Sequence, residues 1–441
     1  MNKTHVIILG GGISGLSARY YLTKHHPKVR VSLLEKEEQI GGVIKTEKGP
    51  FFFERGPRTF KTSRCPTLLS LIDELGLTKQ LIFSSKDAKQ RFLWKEGRLN
   101  KLPTRPMEIL SSSMMRKALF PLFFEWSRNR ANIEDETIYS FAKRRFGKYV
   151  AETFFDPLAL GIFAGDIKKL SIRTCLPTLK EWEKKYGSMT RAMLSKKRDH
   201  QGKGLFTLKE GLSELVAALL SGGHGEVYSD FEAKELCFNR GKVIVKGKDK
   251  KFIGTHLISA LPAPVIYKLL KPHSSAFDTF FEPLKMVGVT AAHLGYNKNL
   301  IKHPGFGYLV PSIEKSVVLG TVFDSSIFPQ QSHNQETRMT MMLGGSFHPS
   351  FPFSSKKEVM EKALSGIKEH LKIQQKPDYV SIVSYPEVLP QFAVGHEKRV
   401  KTLQTALSKT LPQVTLVGNY LSGVSVESCL VESKQLLLPS F

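Results

Sequence analysis

The sequence is poor in the features that most quickly assign a class. Its 441 residues contain four cysteines, Cys65, Cys175, Cys237 and Cys429, widely spaced and without a C-x-x-C pair. Such spacing offers neither a disulfide framework nor a zinc site, and with no signal peptide read at the start the expected setting is a reducing cytoplasm. There is no P-loop and no G-x-S-x-G elbow, so phosphoryl transfer and serine hydrolysis are without a motif. His25-His26 reads as a surface pair rather than a metal site. No internal repeat, low-complexity tract or charged tail interrupts the chain.

Acid is scarce as well. Lys and Arg total 65 against 40 Asp and Glu, a formal charge of +25 that implies an anionic partner. The basic residues are dispersed and build none of the known nucleic-acid modules, so nucleic acid is not the partner read from them. An anionic membrane face together with an anionic substrate accounts for the charge more simply. Arg116-Lys117, the stretch Ala118-Leu119-Phe120-Pro121-Leu122-Phe123-Phe124-Glu125-Trp126, then Arg128 and Arg130 form a short apolar patch bracketed by cations. It is too short to span a bilayer and fits either a helix lying in the headgroup plane or a buried helix of a substrate lobe. Peripheral contact with the inner face of the cytoplasmic membrane is therefore the expectation. A second copy of the chain is a further candidate partner.

What the chain does contain is glycine in a demanding pattern. The apolar run Val6-Ile7-Ile8-Leu9 leads directly into Gly10-Gly11-Gly12-Ile13-Ser14-Gly15, followed by a helical segment through Leu22. In G-x-G-x-x-G, Gly10 makes the tight turn, Gly12 admits a pyrophosphate, and Gly15 lets helix and strand pack closely. Phosphate oxygens then meet the unpaired N–H groups and positive dipole end of the helix. A second strand, Val29 to Leu34, ends in Glu35, twenty residues beyond Gly15, where a carboxylate accepts from ribose hydroxyls. Strand, turn, helix, strand and acid stand in the order that dinucleotide binding requires.

Two further segments narrow the cofactor. Lys36 to Thr46 carries a second glycine pair, Gly41-Gly42, before Val43, Ile44 and Lys45. Near the other end, Val414-Thr415-Leu416-Val417-Gly418 leads through Asn419 and Gly423-Val424-Ser425-Val426 into a helical stretch through Leu438. These signatures resemble the flavoenzyme superfamily of monoamine oxidases, phytoene desaturases and protoporphyrinogen oxidases. Lys45 stands where arginine is more usual, keeping the charge without the bidentate fork, and Asn419 where many relatives have an acid.

The resemblance reaches the substrate side. Phe53-Glu54-Arg55-Gly56-Pro57-Arg58-Thr59 looks like the loop carrying a substrate-binding arginine in the porphyrinogen-oxidising branch, with Arg58 at that position. Asp156 to Asp166, Gly305 to Pro311, Leu319 to Pro329, Met342 to Ser346 and Pro390 to His396 match further short stretches. It implies FAD held by Gly10, Gly11, Gly12, Ile13, Ser14, Gly15, Glu35, Lys36, Gly41, Gly42, Val43, Gly56, Pro57, Arg58, Thr59, Ala233, Glu397, Gly418, Asn419, Val424, Ser425 and Val426. His396 and Glu397 carry no expected acid-base role, and no catalytic base is read from the sequence.

The implied architecture is α/β: a discontinuous Rossmann-like FAD domain with an inserted helical lobe and an α+β substrate domain. Residues 1–62, 205–265 and 386–441 make the FAD domain, 63–204 the mainly helical lobe, and 266–385 the substrate domain. A chain of this length exceeds what one core supports. The coarse pattern agrees, with 63–78, 106–130 and 134–196 helical, and 225–260 and 286–346 at the strand period. Val227 and the run from Val243 to Ile258 are expected to rejoin the FAD domain.

The implied reaction is oxidation of protoporphyrinogen IX to protoporphyrin IX by molecular oxygen in haem biosynthesis, in three two-electron steps that release hydrogen peroxide. Arg58 suits a propionate anchor, because guanidinium grips carboxylate bidentately and stays charged. Its other reading is an ordinary ion pair. Oxidation of coproporphyrinogen III, a flavin amine oxidase, and a non-catalytic flavin-binding membrane scaffold are the competing functions.

Overall fold

The computed structural model describes residues 4–128, 131–195, 204–332 and 335–436, so Arg130, Leu438 and the end of the stretch expected at 134–196 lie outside the described residues. The first apolar run forms strand His5–Leu9, the centre of a five-stranded parallel sheet. Its order is Glu226–Tyr228, Arg30–Leu34, His5–Leu9, His256–Ser259, Val414–Leu416. Parallel strands covered on both faces read as continuous apolar runs, and Val6, Ile7, Ile8, Val31, Leu33, Leu257 and Ile258 are fully buried. Three segments far apart in sequence thus meet in one sheet.

Helices Ile13–His25, Ser213–Gly222 and Val426–Lys434 cover one face of that sheet. The other face is covered by helices Ala263–Leu270 and His396–Thr410 and by an antiparallel sheet of Glu235–Asn239, Lys242–Lys246 and Lys251–Gly254. The run expected at Val243 to Ile258 therefore divides. Only His256–Ser259 enters the parallel sheet, while the preceding hairpin packs Val243 and Val245 against it.

A second, seven-stranded sheet has the order Tyr379–Gln391, Lys285–Tyr296, Thr337–Gly344, Val318–Val322, Gly307–Leu309, Phe92–Lys95, Arg98–Lys101. Helix Lys356–Leu371 packs Val359, Ala363 and Ile367 onto it. Two expected boundaries need correction here. Strand Tyr379–Gln391 runs straight through 385/386, because it pairs with Lys285–Tyr296 along nearly its whole length. The segment 63–204, expected to be a mainly helical lobe, also gives strands to this sheet. Its hairpin Phe92–Lys101 extends the substrate sheet by pairing Phe92 and Leu93 with Tyr308 and Leu309, which buries Phe92 and Trp94.

The rest of that segment is the helical lobe. The stretch expected to be mainly helical from 106 to 130 is two helices, Pro106–Ser111 and Ser113–Phe123, and a short turn, Phe124–Ser127. Ser112 divides them, since its hydroxyl accepts the Met115 N–H and caps the second. The C-terminal helix ends at Lys434.

A candidate cofactor and substrate site

The glycine turn has the geometry its spacing demands. Gly10 adopts φ +96°, closed to most side chains, and its N–H donates to the Leu34 carbonyl at 2.8 Å. A methyl at Gly15 would fall inside van der Waals contact with the Gly10 carbonyl oxygen and 3.3 Å from Ala260 Cβ. Gly12 is different: a methyl there meets only Gly42 Cα, at 4.0 Å. The second pair is pinned to the first, with the Gly41 N–H donating to the Gly11 carbonyl at 2.9 Å. Helix Ile13–His25 then starts with no side-chain cap and no acid in its first turn. Its leading amides are thus left for an anionic ligand.

Glu35 reaches this turn. Its Oε2 accepts from Gly11 N–H at 2.6 Å and its Oε1 from Glu37 N–H at 2.9 Å. Its carbonyl accepts from Phe231 N–H at 2.8 Å, which brings the segment with Ala233 alongside. Lys36 stays on the surface beside Glu37, at 3.4 Å. Gly56 lies so close to the Val43 carbonyl that no side chain fits, so the loop Gly56 to Thr59 abuts the second glycine pair. Val43 is partly exposed, and buried Thr59 Oγ1 has no hydrogen-bond partner among the described residues.

The C-terminal loop closes the same side of the sheet. Gly418, at φ +146°, donates its N–H to Glu432 Oε2 at 2.9 Å, and burial pushes that carboxyl up to about 7. Ser425 caps helix Val426–Lys434, and Ser433 Oγ donates to the Ser14 carbonyl at 3.0 Å, so the end of this helix lies against the start of the first. Val424 packs into the apolar cluster of Phe163 and Phe392. Asn419 Nδ2 donates to the Val388 carbonyl at 2.9 Å and ties the loop to the substrate sheet. His396 is buried and held neutral by desolvation, its Nε2 3.0 Å from the Leu421 carbonyl. Glu397 does not join the cofactor residues through its side chain. Its carboxylate pairs with Arg173 Nε at 2.8 Å, because the helix His396–Thr410 turns that position toward the helical lobe.

Arg58 is brought into the seam between the two sheets. Its Nη1 lies 3.2 Å from Asp324 Oδ1, and both side chains are only 14% exposed. This is the ion pair of the alternative reading, yet it is neither superficial nor complete. Nη2 reaches only the Gly56 carbonyl, at 3.5 Å, so most of the five guanidinium donors stay available. Below it lies Glu54, whose Oε1 accepts from Leu212 N–H at 2.8 Å. Burial pushes its carboxyl up to about 7, against the pull of the Leu212 amide, the Thr46 hydroxyl and Arg58. Sequence reasoning missed Asp324, Glu54 and their neighbours Thr340 and His293, because only sheet register assembles them. Helix Asp156–Phe163, packed on the seven-stranded sheet, exposes Leu158 and Ile162, four residues apart, and Gly161 lets it close to within contact of Leu309.

A third surface lies on the helical lobe. Met107, Leu110, Phe120, Phe123, Trp126, Met193 and Leu194 are exposed, Phe120 at 71% and Leu194 at 83%. Arg105, Arg116, Lys117 and Arg191 are exposed among them. Patches of this kind mark contact surfaces. Among the described residues no helix is long and apolar enough to cross a membrane, and no group of His, Cys, Asp or Glu is arranged to hold a metal ion.

Comparison with known proteins agrees with this geometry. The chain is 31% identical to the protoporphyrinogen oxidase of Bos taurus over 99% of its own length and 98% of the relative's. It is 26% identical to the coproporphyrinogen III oxidase of Bacillus subtilis over 98% and 97%. A solved chain from Exiguobacterium sp. 255-15 superposes with a TM-score of 0.88 at 21% identity, covering 99% of this chain and 98% of that one. The family model for flavin containing amine oxidoreductases matches residues 13–435, nearly the whole sequence. On that match and the full-length relatives, the chain belongs to the flavin-containing amine oxidoreductase family.

Proposed function

We propose that the chain is an FAD-dependent oxidase that converts protoporphyrinogen IX to protoporphyrin IX in haem biosynthesis, with molecular oxygen as acceptor and hydrogen peroxide released. The observation that carries this reading is the joint between the two glycine turns, where the Gly41 N–H donates to the Gly11 carbonyl and a methyl at Gly42 would come within 3.1 Å of Gly12 Cα. Full-length similarity to chains named protoporphyrinogen oxidase supports the substrate.

In this reading the amides of Gly12 to Gly15 donate to the pyrophosphate, Gly11 ties Glu35 to the turn, and Glu35 accepts from the ribose, with Lys36 and Ala233 beside it. Gly41, Gly42, Val43 and the loop Gly56 to Thr59 line the cofactor, and Gly418, Asn419 and Val424 to Val426 border its far end. The unpartnered hydroxyl of Thr59 is a donor of the kind a flavin carbonyl satisfies. When bound, FAD supplies a two-electron acceptor three times per substrate and passes the electrons to oxygen. The protein's own work is placement. Arg58 takes a propionate with its free donors, and Leu158, Ile162 and Leu309 keep water from the macrocycle. No side chain is assigned as a base, since the pyrrole nitrogen lone pair assists loss of the bridging-carbon hydrogen and water takes the proton. The parallel-sheet segments form the cofactor domain, and the seven-stranded sheet carries the substrate domain.

Anaerobic addition of protoporphyrinogen IX to the holoprotein is expected to bleach the flavin absorbance. In air, porphyrin fluorescence should grow faster on protoporphyrinogen IX than on coproporphyrinogen III. Bleaching by an aromatic amine but not by either porphyrinogen would replace this function with amine oxidation. A flavin that stays oxidised with all three would leave only a binding role.

The exposed patch of the helical lobe supports a second element of the reading, peripheral contact with an anionic membrane. Apolar side chains ringed by cations bind the headgroup boundary through buried area and charge together. Flotation with liposomes containing anionic lipid is the direct check, and a Phe120→Ser/Phe123→Ser variant should stay in the unbound fraction. Equal flotation of variant and parent would assign the contact elsewhere.

A further inference from the structure

The ion pair of Arg58 is the near end of a longer chain of contacts. Asp324 Oδ1 faces the guanidinium, and its Oδ2 accepts from Thr340 Oγ1–H at 2.7 Å. A carboxylate oxygen here only accepts, so the single hydroxyl hydrogen of Thr340 is committed to Asp324. His293 Nδ1 lies 3.0 Å from Thr340 Oγ1, and with that hydrogen committed the imidazole must donate. The tautomer is thereby fixed as Nδ1–H. Nε2 is left as a bare acceptor, buried and without a partner among the described residues.

Each link is held by a different element. His293 and Thr340 stand directly opposite each other in the antiparallel pairing of Lys285–Tyr296 with Thr337–Gly344. Asp324 opens the short helix Asp324–Ile327 that follows strand Val318–Val322. The imidazole ring packs on Phe53, centroids 5.0 Å apart, in the strand that leads into the Arg58 loop. Burial and the nearby Arg58 and Arg55 keep the imidazole neutral, so it can serve as a donor without adding charge. A fully buried histidine with an idle nitrogen is a poor choice for packing alone.

We propose that Asp324, Thr340 and His293 are positioning residues that fix the orientation of the Arg58 guanidinium, so that its free edge meets a substrate carboxylate. This rests on the assignment of Arg58 as the propionate anchor. The carboxylate holds one edge of the guanidinium, the hydroxyl holds the carboxylate, and the sheet-bound imidazole holds the hydroxyl. Substrate affinity then depends on a hydroxyl that never touches substrate.

Thr340→Val keeps the shape and removes the hydroxyl. With protoporphyrinogen IX as the probe, its KM should rise about tenfold, the loss expected for one charge-assisted hydrogen bond, while kcat and flavin content stay near the parent values. Thr340→Ser should restore the KM, which a role in packing alone would not produce. Arg58→Ala should raise KM further, and adding Thr340→Val to it should change nothing more. An unchanged KM in Arg58→Ala overturns the anchor assignment itself. A raised KM in Arg58→Ala with an unchanged KM in Thr340→Val overturns the positioning chain alone. Flavin loss in Thr340→Val also overturns the chain, because the hydroxyl then serves the cofactor or the fold.

Discussion

Gly12→Ala is expected to yield a folded protein that purifies almost without flavin. The position has φ −75° and ψ −178°, ordinary for alanine, and the added methyl meets nothing closer than Gly42 Cα at 4.0 Å. Apoprotein stability should therefore stay within about 0.5 kcal/mol of the parent, as for a substitution that neither clashes nor leaves a cavity. The methyl instead occupies the space through which a pyrophosphate must approach the helix amides. Flavin occupancy, read as the ratio of visible to ultraviolet absorbance, should fall at least about tenfold, a cost of about 1.4 kcal/mol or more. Gly15→Ala supplies the contrast. Its methyl strikes the Gly10 carbonyl, which cannot retreat because Gly10 is tied to Leu34 and backs onto Ala260. That variant should lose both flavin and about 1 to 3 kcal/mol of stability, the range for overpacking. Full flavin occupancy in Gly12→Ala would remove the turn from the cofactor site.

The contrast explains how much of the site was legible in sequence. Gly10, Gly12, Gly15, Gly41 and Gly42 could be read because each does its work through the backbone, where omission of a side chain is itself the signal. Glu35 was legible for a related reason, since a strand of fixed length delivers it to the turn. The network behind Arg58 was not. Asp324, Thr340 and His293 become neighbours only through the fold of the sheet, with His293 opposite Thr340 in the register of Lys285–Tyr296 against Thr337–Gly344, and that is not written in the spacing of residues 16 to 47 positions apart. Glu397 is a different case. A short motif match carried it into the cofactor list, whereas its helix directs it to Arg173.

The fold divides in the same way. The parallel sheet announced itself through continuous apolar runs, because both faces are covered. Hairpin Phe92–Lys101 did not, since its place at the edge of the substrate sheet depends on a parallel contact with Tyr308 and Leu309 more than 200 residues away. The 106–130 stretch was legible as mainly helical, whereas its division at the Ser112 cap was not. Its exposed phenylalanines carry the proposed membrane contact, and what holds them in place is buried beneath.

Removal of the Glu125 carboxylate should be the most damaging single change in the helical lobe. Glu125 and Arg145 are both 0% exposed and paired. Glu125 Oε2 also accepts from Ser188 Oγ at 2.6 Å and from Thr190 N–H at 3.0 Å, while Oε1 accepts from Met189 N–H at 3.1 Å. One carboxylate thereby caps the start of helix Met189–Ser195 and neutralises an arginine that also donates to the Gly187 carbonyl at 2.9 Å. Glu125→Ala removes the carboxylate that pairs most closely with a buried cation, the Glu183 carboxylate lying farther off at 3.8 Å, and breaking such a pair costs about 3 to 5 kcal/mol. Hydrogen exchange in Ile138–Val150 and Met189–Ser195 should accelerate while the parallel sheet stays protected, because the loss is local to the lobe. Trp126 adjoins Glu125 in sequence, and Met193 and Leu194 ride on the helix it caps, so liposome flotation should fall together with protection. A Glu125→Leu/Arg145→Met pair separates the two causes. With both members of the pair apolar, and Glu183 still held by Arg144 and Lys180, it should regain most of the stability and the flotation, since an apolar pair of similar volume replaces a buried ion pair at little cost. If the pair proved no more stable than Glu125→Ala, the charge would not be the reason, and the carboxylate's capping bonds to Ser188, Met189 and Thr190 would carry the whole effect.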